Sequence, residues 1–107
     1  MELEIYTYDK SLLYDILGRA SDSRSVTIPG NATLTYKVST MRLADGLPEI
    51  INFAMTFGSG IATGLISNWI YDKLTRRTEK ILINRKEVYL DKEEIKRILE
   101  ETIKIER

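Results

Sequence analysis

The residues of this chain that could take part in chemistry are limited by two absences. The 107 residues include no histidine and no cysteine. The chain therefore lacks the usual general base near neutral pH, the commonest metal ligand and any thiolate nucleophile. Its hydroxyl groups have no imidazole to activate them, and paired carboxylates such as Glu100 and Glu101 fall on the solvent side of a predicted helix. We expect no catalytic residue, no metal site and no cofactor, and hence a protein that is not an enzyme.

A glycine-rich stretch, FGSGIATG at residues 57–64, is the most unusual local feature. The spacing of Gly58, Gly60 and Gly64 approximates the turn that holds the pyrophosphate of a dinucleotide, between a strand and a helix. Such a site also needs an acidic residue after the next strand to bind the ribose. Asn84 or Arg85 occupies that place here. The sequence therefore disfavours a nucleotide site.

The same stretch lies inside a long uncharged run, which we predict to form a central helix over about residues 49–74. On a helical wheel its small and polar residues form a narrow stripe at spacings of three and four. A glycine inside a helix costs about 1 kcal/mol relative to alanine, so close approach of another backbone is expected to offset this cost. We predict self-association through this stripe, which comprises Asn52, Thr56, Ser59, Gly60, Thr63, Gly64 and Ser67.

An alternative is a single membrane-spanning helix at about residues 50–71, which carry no charged side chain. This length suffices to cross a bilayer, and Gly60 and Gly64 match a motif by which spanning helices pack together. The polar stripe argues against it, because a lone spanning helix meets lipid on all sides. Under this alternative the protein is located in a membrane.

A second alternative is weak nucleic-acid binding through a basic cluster at residues 73–86. The chain has no net charge, and no aromatic residue interleaves the cluster, so a solvated helix end is the simpler interpretation. The cluster, a candidate anion or nucleic-acid patch, consists of Lys73, Arg76, Arg77, Lys80, Arg85 and Lys86.

Tyrosines on the predicted strands offer a third kind of surface. Tyr6, Tyr8 and Tyr89 fall on the faces opposite the aliphatic residues of their strands. If they cluster on an open sheet face, they form an exposed aromatic patch of the kind that marks a partner site. Ordinary cross-strand pairing is the simpler interpretation.

The N-terminal half is predicted to hold three strands and a helix. Residues 2–8 alternate as in a strand, and a short helix follows from Asp9 to about residue 20, then a loop. Two strands surround residues 29–31, and residues 43–48 connect to the central helix. Ala32, Leu34, Tyr36 and Val38 are expected to share one face.

The C-terminal part is predicted to hold a hairpin of ILI and EVYL, and then a helix. Asp91 and Glu94 form an approximate capping box at the start of that helix. The predicted order is β-α-β-β-α-β-β-α in one domain over residues 1–107, an α+β fold with a mixed or antiparallel sheet covered on one face by helices.

Together these patterns predict a small non-catalytic protein-interaction or assembly module that forms a homo-oligomer. The N-terminus is acidic and alternating, unlike a secretory signal, so we expect a cytoplasmic location. The identity of any partner does not follow from the sequence.

Overall fold

The computed structural model describes residues 1–18, 24–40 and 46–106. Within these ranges the chain forms six strands and three helices. In chain order they are β1 (Glu2–Thr7), α1 (Leu12–Leu17), β2 (Ser25–Ile28), β3 (Ala32–Thr40), β4 (Glu49–Phe57), α2 (Thr63–Leu74), β5 (Lys80–Ile83), β6 (Lys86–Val88) and α3 (Lys92–Glu106).

The strands form one sheet in the order β2-β3-β4-β1-β5-β6, and each described pair of neighbours is antiparallel. β4 and β5 both lie beside β1 and run antiparallel to it. They therefore run in the same direction, so β4, α2 and β5 make a crossover with β1 inserted between its two strands. This arrangement places β1 and β4 at the centre of the sheet.

The core lies on one face of the sheet. Leu3 and Ile5 of β1 are buried and pair with buried residues of β4 and β5, so these side chains point to the same side. They form one cluster with the buried residues of all three helices: Leu12, Ile16, Ile66, Ile70, Leu74, Ile95 and Leu99. The predicted α+β domain with helices over one face of the sheet is confirmed, and the sheet is antiparallel.

The predicted central helix over 49–74 is wrong. Residues 49–57 are the strand β4, residues 58–62 are a loop, and the helix α2 begins only at Thr63. The physical reason is the alternation in β4, where Ile51, Phe53 and Met55 are buried while the residues between them lie on the other face. The observed order is thus β-α-β-β-β-α-β-β-α.

The predicted membrane span at 50–71 is wrong for the same reason, because those residues do not form one helix. Among the described residues, none of the helices has both the length and the apolar character needed to cross a bilayer.

Most of the other predicted elements are present. Asp91 caps α3, since its Oδ2 accepts a hydrogen bond of 3.0 Å from the amide of Glu94. α1 is found within the predicted helix. Residues 19–20 at its predicted end, residues 21–23 of the following loop, and residues 43–45 of the predicted connector lie outside the described residues.

β3 contains an irregularity that reverses the expected side of Val38. Tyr36 pairs with Phe53, but Val38 pairs with Asn52, so Lys37 is an extra residue in this strand. Val38 therefore leaves the core side on which Tyr36 packs, and its side chain is 53% exposed.

Candidate functional site

The glycine-rich stretch forms the loop between β4 and α2, where it packs against the turn between β2 and β3. The side chain of Asn31 donates hydrogen bonds of 3.0 Å to the carbonyl oxygens of Ser59 and Gly60. In return, the amide of Gly58 donates to the carbonyl of Asn31, and that of Ala62 donates to Gly30. The loop is therefore held to the sheet by both the backbone and the Asn31 side chain of a neighbouring turn.

The predicted self-association stripe does not exist as a continuous surface. Asn52 and Thr56 lie on β4, Ser59 and Gly60 lie in the loop, and the remaining members lie in the first part of α2. Ser67 is buried, and its hydroxyl donates to the carbonyl of Gly64 within the same helix. The seven residues fell on one stripe only under the assumption of a single helix.

The predicted basic cluster is divided between two places. Asn84 at the tip of the β5–β6 hairpin is hydrogen-bonded to Glu2 at the start of β1, which puts Arg85 and Lys86 at that end of the sheet. Arg77 lies beyond the opposite end of β5, since the amide of Glu79 donates to the carbonyl of Tyr6 near the end of β1. The length of β5, about 13 Å at 3.3 Å per residue, separates the two groups.

Within the basic cluster, Arg77 and Lys80 have acidic partners. Arg77 Nε lies 2.8 Å from Asp9 Oδ2, and its Nη2 lies 2.6 Å from Asp15 Oδ2. Lys80 Nζ lies 3.8 Å from Glu87 Oε1 and 4.5 Å from the centre of the Tyr6 ring. The candidate anion or nucleic-acid patch is therefore divided between two places, and two of its members are ion-paired.

The ion pairs of Arg77 tie the β1–α1 connection to the segment after α2. Hydrogen bonds from the Ser11 side chain and then from Arg77 lower the pKa of Asp9 to about 2. The bonds to Asp9 and Asp15 raise the pKa of Arg77 above its ordinary value. Asp9 and Arg77 join separate parts of the chain, so we assign them a structural role.

The three tyrosines do not form one patch. Tyr6 lies in β1 beneath Lys80, whereas Tyr8 lies beyond the end of β1 and donates a hydrogen bond to the carbonyl of Gly46. Tyr89 follows β6 at the edge of the sheet and is 76% exposed. Of the three, only Tyr6 lies on a central strand, with β4 on one side and β5 on the other.

The side of the sheet opposite the core is the candidate site. We call it the helix-free face, meaning the face against which no helix of the described residues packs. Its apolar members are Val38 on β3, Ile50 and Ala54 on β4, and Leu82 on β5. Val38 is exposed and the other three are half-buried. Hydroxyl side chains follow on the strands toward the β2 edge: Ser25, Thr27, Thr33, Thr35 and Thr56.

A groove of about 430 Å³ crosses the middle of the helix-free face. Asn52 and Ala54 of β4 lie at its centre, and Asn52 Nδ2 donates a 3.4 Å hydrogen bond to the carbonyl of Val38. Charged side chains of both signs surround these residues: Glu2 and Glu4 on β1, Lys37 on β3, and Arg85 in the hairpin. The groove can therefore receive a surface that carries both signs of charge around an uncharged centre.

Sequence reasoning placed Asn52 and Thr56 in the candidate site but missed Glu4, Lys37 and Val38. These residues come together only through the pairing of β3 and β1 with β4. The alternation of β4 was the available signal, because it predicts a central strand with two different faces.

The described residues contain no group of three or more acidic side chains placed to hold a metal ion. Comparisons of the chain with protein-family models, with curated proteins and with solved structures give no significant match.

Proposed function

We propose that this chain is a small non-catalytic protein-interaction or assembly module, and that its contact surface is the helix-free face. The observation that carries the proposal is the one-sided core. The helices pack on one face of the sheet, and on the other face the described residues leave Val38 exposed beside a groove.

The composition of the helix-free face supports a protein contact. Apolar side chains at Val38, Ile50, Ala54 and Leu82 lie among threonines and charged residues. Removal of their apolar atoms from water favours association, and the surrounding polar groups supply orientation. Antiparallel sheets commonly leave one polar face to solvent, and the helix-free face is polar at most positions but departs from this pattern at Val38, Ile50 and Leu82.

The chemistry of this face supports binding rather than catalysis. Its serine and threonine hydroxyls have no histidine to act as their base, because the chain contains none. The glutamates in the groove are accompanied by a lysine and an arginine, which suits recognition of a partner's charges.

Self-association was also predicted from the sequence, but the contact surface proposed here lies on the sheet instead of on a central helix. Asn52 and Thr56 belonged to the predicted stripe, and both lie on the helix-free face of β4. The other five members lie in the loop or in α2, where Ser67 is buried. A contact surface on β4 and its neighbours replaces one on a helix.

Site-specific photo-crosslinking tests this function. The full chain, carrying p-benzoylphenylalanine in place of Val38, is irradiated in the cells from which the gene comes. We expect one discrete adduct with a protein, because Val38 lies at the proposed contact. The same group at Asn68, an exposed residue of α2, is the matched control and should give none.

A second variant shows whether an adduct reflects the groove. Ala54→Arg places a long cation in the middle of the helix-free face, so it should remove the adduct formed at Val38. The proposal fails if Val38 gives no adduct, or if Asn68 gives the same adducts as Val38.

A further inference from the structure

We propose that the partner of the helix-free face is a second copy of this chain, related by a two-fold axis that runs along β4. This inference rests on the function proposed above and names its partner. Strand register and charge support it.

The strand register places opposite charges at one level on either side of β4. Asn52 pairs with Glu4 of β1 on one side and with Val38 of β3 on the other. Lys37, the extra residue of β3, directly precedes Val38 and lines the same groove as Glu4. Lys37 and Glu4 therefore flank Asn52 on the helix-free face, one strand away to each side.

A two-fold axis parallel to β4 exchanges β1 and β3 between two facing copies. With the axis over Asn52, Lys37 of each copy lies opposite Glu4 of the other, which makes two equivalent ion pairs. Asn52 faces its own symmetry mate, and an amide can pair with an identical amide because it has both donors and an acceptor.

The other in-plane two-fold axis, perpendicular to the strands, gives the opposite result. It sets each strand opposite the same strand of the other copy, so Lys37 faces Lys37 and Glu4 faces Glu4. Juxtaposed like charges are unfavourable, so the charge pattern selects the axis along β4.

Two further pairs of residues on β1 and β3 are compatible with this axis. Glu2 and Thr35 both pair with Ala54, so the axis sets the Glu2 carboxylate opposite a threonine hydroxyl of the other copy. Tyr6 and Thr40 both pair with Ile50 and are exchanged in the same way. These exchanges set no two like charges against each other.

Ion pairing within the described part of the chain leaves both charged groups available. In the described part of the chain, neither Lys37 nor Glu4 has an ion-pair partner within 4.0 Å, although other acidic and basic residues do. A second copy supplies a partner to both residues at once, so the two symmetric contacts together satisfy four charged groups.

The area suits a reversible dimer. Only β1, β3 and β4 have six to nine residues, which is about 20–30 Å, whereas β2, β5 and β6 have three or four. At about 4.8 Å per strand, the three long strands offer about 350 Å² from each copy, or about 700 Å² in total, which is the size of a weak, transient interface.

A charge-exchange experiment on the purified full chain tests this geometry, with sedimentation equilibrium as the readout. The wild type should dimerise. Lys37→Glu alone sets a new carboxylate against Glu4 of the other copy, and Glu4→Lys alone sets a new ammonium group against Lys37. Each variant should therefore dimerise about 10- to 100-fold more weakly. An equimolar mixture of the two variants should recover the wild-type affinity as a heterodimer, because both of its ion pairs then join opposite charges.

A second measurement does not depend on the folding of the charge variants. The chain has no cysteine, so Asn52→Cys introduces a single thiol on the proposed axis. Because facing sheets lie about 10 Å apart, a short bis-maleimide should join two copies through this introduced thiol. Asn68→Cys, on the exposed side of α2, is the control and should remain monomeric under the same treatment.

The outcomes separate this inference from the proposed function. A wild-type chain that stays monomeric, while Val38 cross-links to a different protein, overturns the second copy and preserves the interaction module. A dimer that is unaffected by either charge variant overturns the axis, because its interface then lies elsewhere. Absence of both the dimer and the Val38 adduct removes the proposed function as well.

Discussion

At the scale of single residues, Gly30 lies in the β2–β3 turn at the point where this turn contacts the start of α2. Its φ angle is +97°, and a Cβ atom there would lie 2.6 Å from Ile66 Cγ1 and 2.7 Å from the carbonyl oxygen of Ala62. Gly64 differs in both respects, because it is helical and its Cβ would meet no described atom within 4 Å apart from its chain neighbours and the backbone of its own helix. The glycine with the least room for a side chain therefore lies outside the glycine-rich stretch, within which Gly60 has a positive φ of +74°.

These two glycines should respond in opposite directions to alanine. Gly30→Ala should lower the free energy of unfolding by about 1–3 kcal/mol, because it adds both a steric overlap and backbone strain. Gly64→Ala is the matched control and should raise it by up to about 1 kcal/mol through helix propensity. Urea unfolding of the two variants measures both values. Equal effects would contradict the close approach at Gly30.

Asp9 should make the stability of the protein depend on pH. Its pKa is about 2 in the folded protein, below the ordinary value of 3.8, so its ionised form stabilises the fold. This contribution is present above the ordinary pKa and is lost as the pH falls through the folded pKa. Asp9→Asn should therefore be less stable than the wild type at pH 7, and the difference should shrink to a small part of that value at pH 2.

Urea unfolding of the wild type and Asp9→Asn at the two pH values measures this difference. Asp72→Asn is the control, because Asp72 makes a single exposed ion pair of 3.6 Å with Lys92 and its loss should matter little at pH 7. A difference between Asp9→Asn and the wild type that persists unchanged at pH 2 would show that the ionised carboxylate is not its cause.

At the scale of elements, local sequence patterns correctly predicted those strands and helices whose formation is determined by residues close to one another in the chain. β1, the β5–β6 hairpin and the capped helix α3 all follow from alternation, turn residues or a capping pair. The region of β4 and α2 carries two patterns at once. Its small residues repeat at three and four, while Ile51, Phe53 and Met55 alternate. Residues 49–57 form a strand because β4 pairs with β1 on one side and with β3 on the other. These pairing partners are distant in sequence.

The candidate site was less predictable than the elements for the same reason. Glu4, Lys37 and Asn52 are far apart in the chain and meet only through strand register. The extra residue in β3 also changes which face Val38 joins, and no local pattern in the sequence indicated it. Surfaces assembled from several strands require the sheet order before they can be recognised.

Substitutions in β4 should follow a period of two. Phe53 is 1% exposed, so Phe53→Ala should lower the free energy of unfolding by about 3–5 kcal/mol through lost burial and a cavity. Thr56 is exposed on the helix-free face, and Thr56→Ala should change it by no more than about 0.5 kcal/mol. Thermal or urea unfolding distinguishes the two. Comparable losses at both positions would be inconsistent with β4.

The whole molecule is a two-layer domain, 41 × 30 Å across and 22 Å thick. A sheet and one layer of helices account for this thickness, since packed layers lie about 10 Å apart. The largest flat surface is therefore the helix-free face of the sheet. Both edge strands are short, and the exposed residues of β6 are Lys86 and Glu87, which disfavours pairing with another chain at that edge. Association through a face of the sheet is the more suitable geometry.

Dimerisation through that face should make the thermal stability depend on protein concentration. If folded copies associate, raising the concentration of free chain to about 100 times the dissociation constant adds about 2.7 kcal/mol to the folded state. For a domain of about this size, each kcal/mol raises Tm by about 4–8 °C. The wild-type Tm should therefore rise by several degrees over a hundredfold range of concentration, as followed by circular dichroism in cells of different path length.

Ala54→Arg is the variant that assigns this effect to the helix-free face. Ala54 faces its own symmetry mate across the proposed axis, so two arginines would meet there and oppose the dimer. Its Tm should be independent of concentration and should match that of the dilute wild type, because Ala54 lies outside the core. A Tm that rises equally in Ala54→Arg and the wild type would locate the association on another surface, and a constant wild-type Tm would leave the chain a monomer.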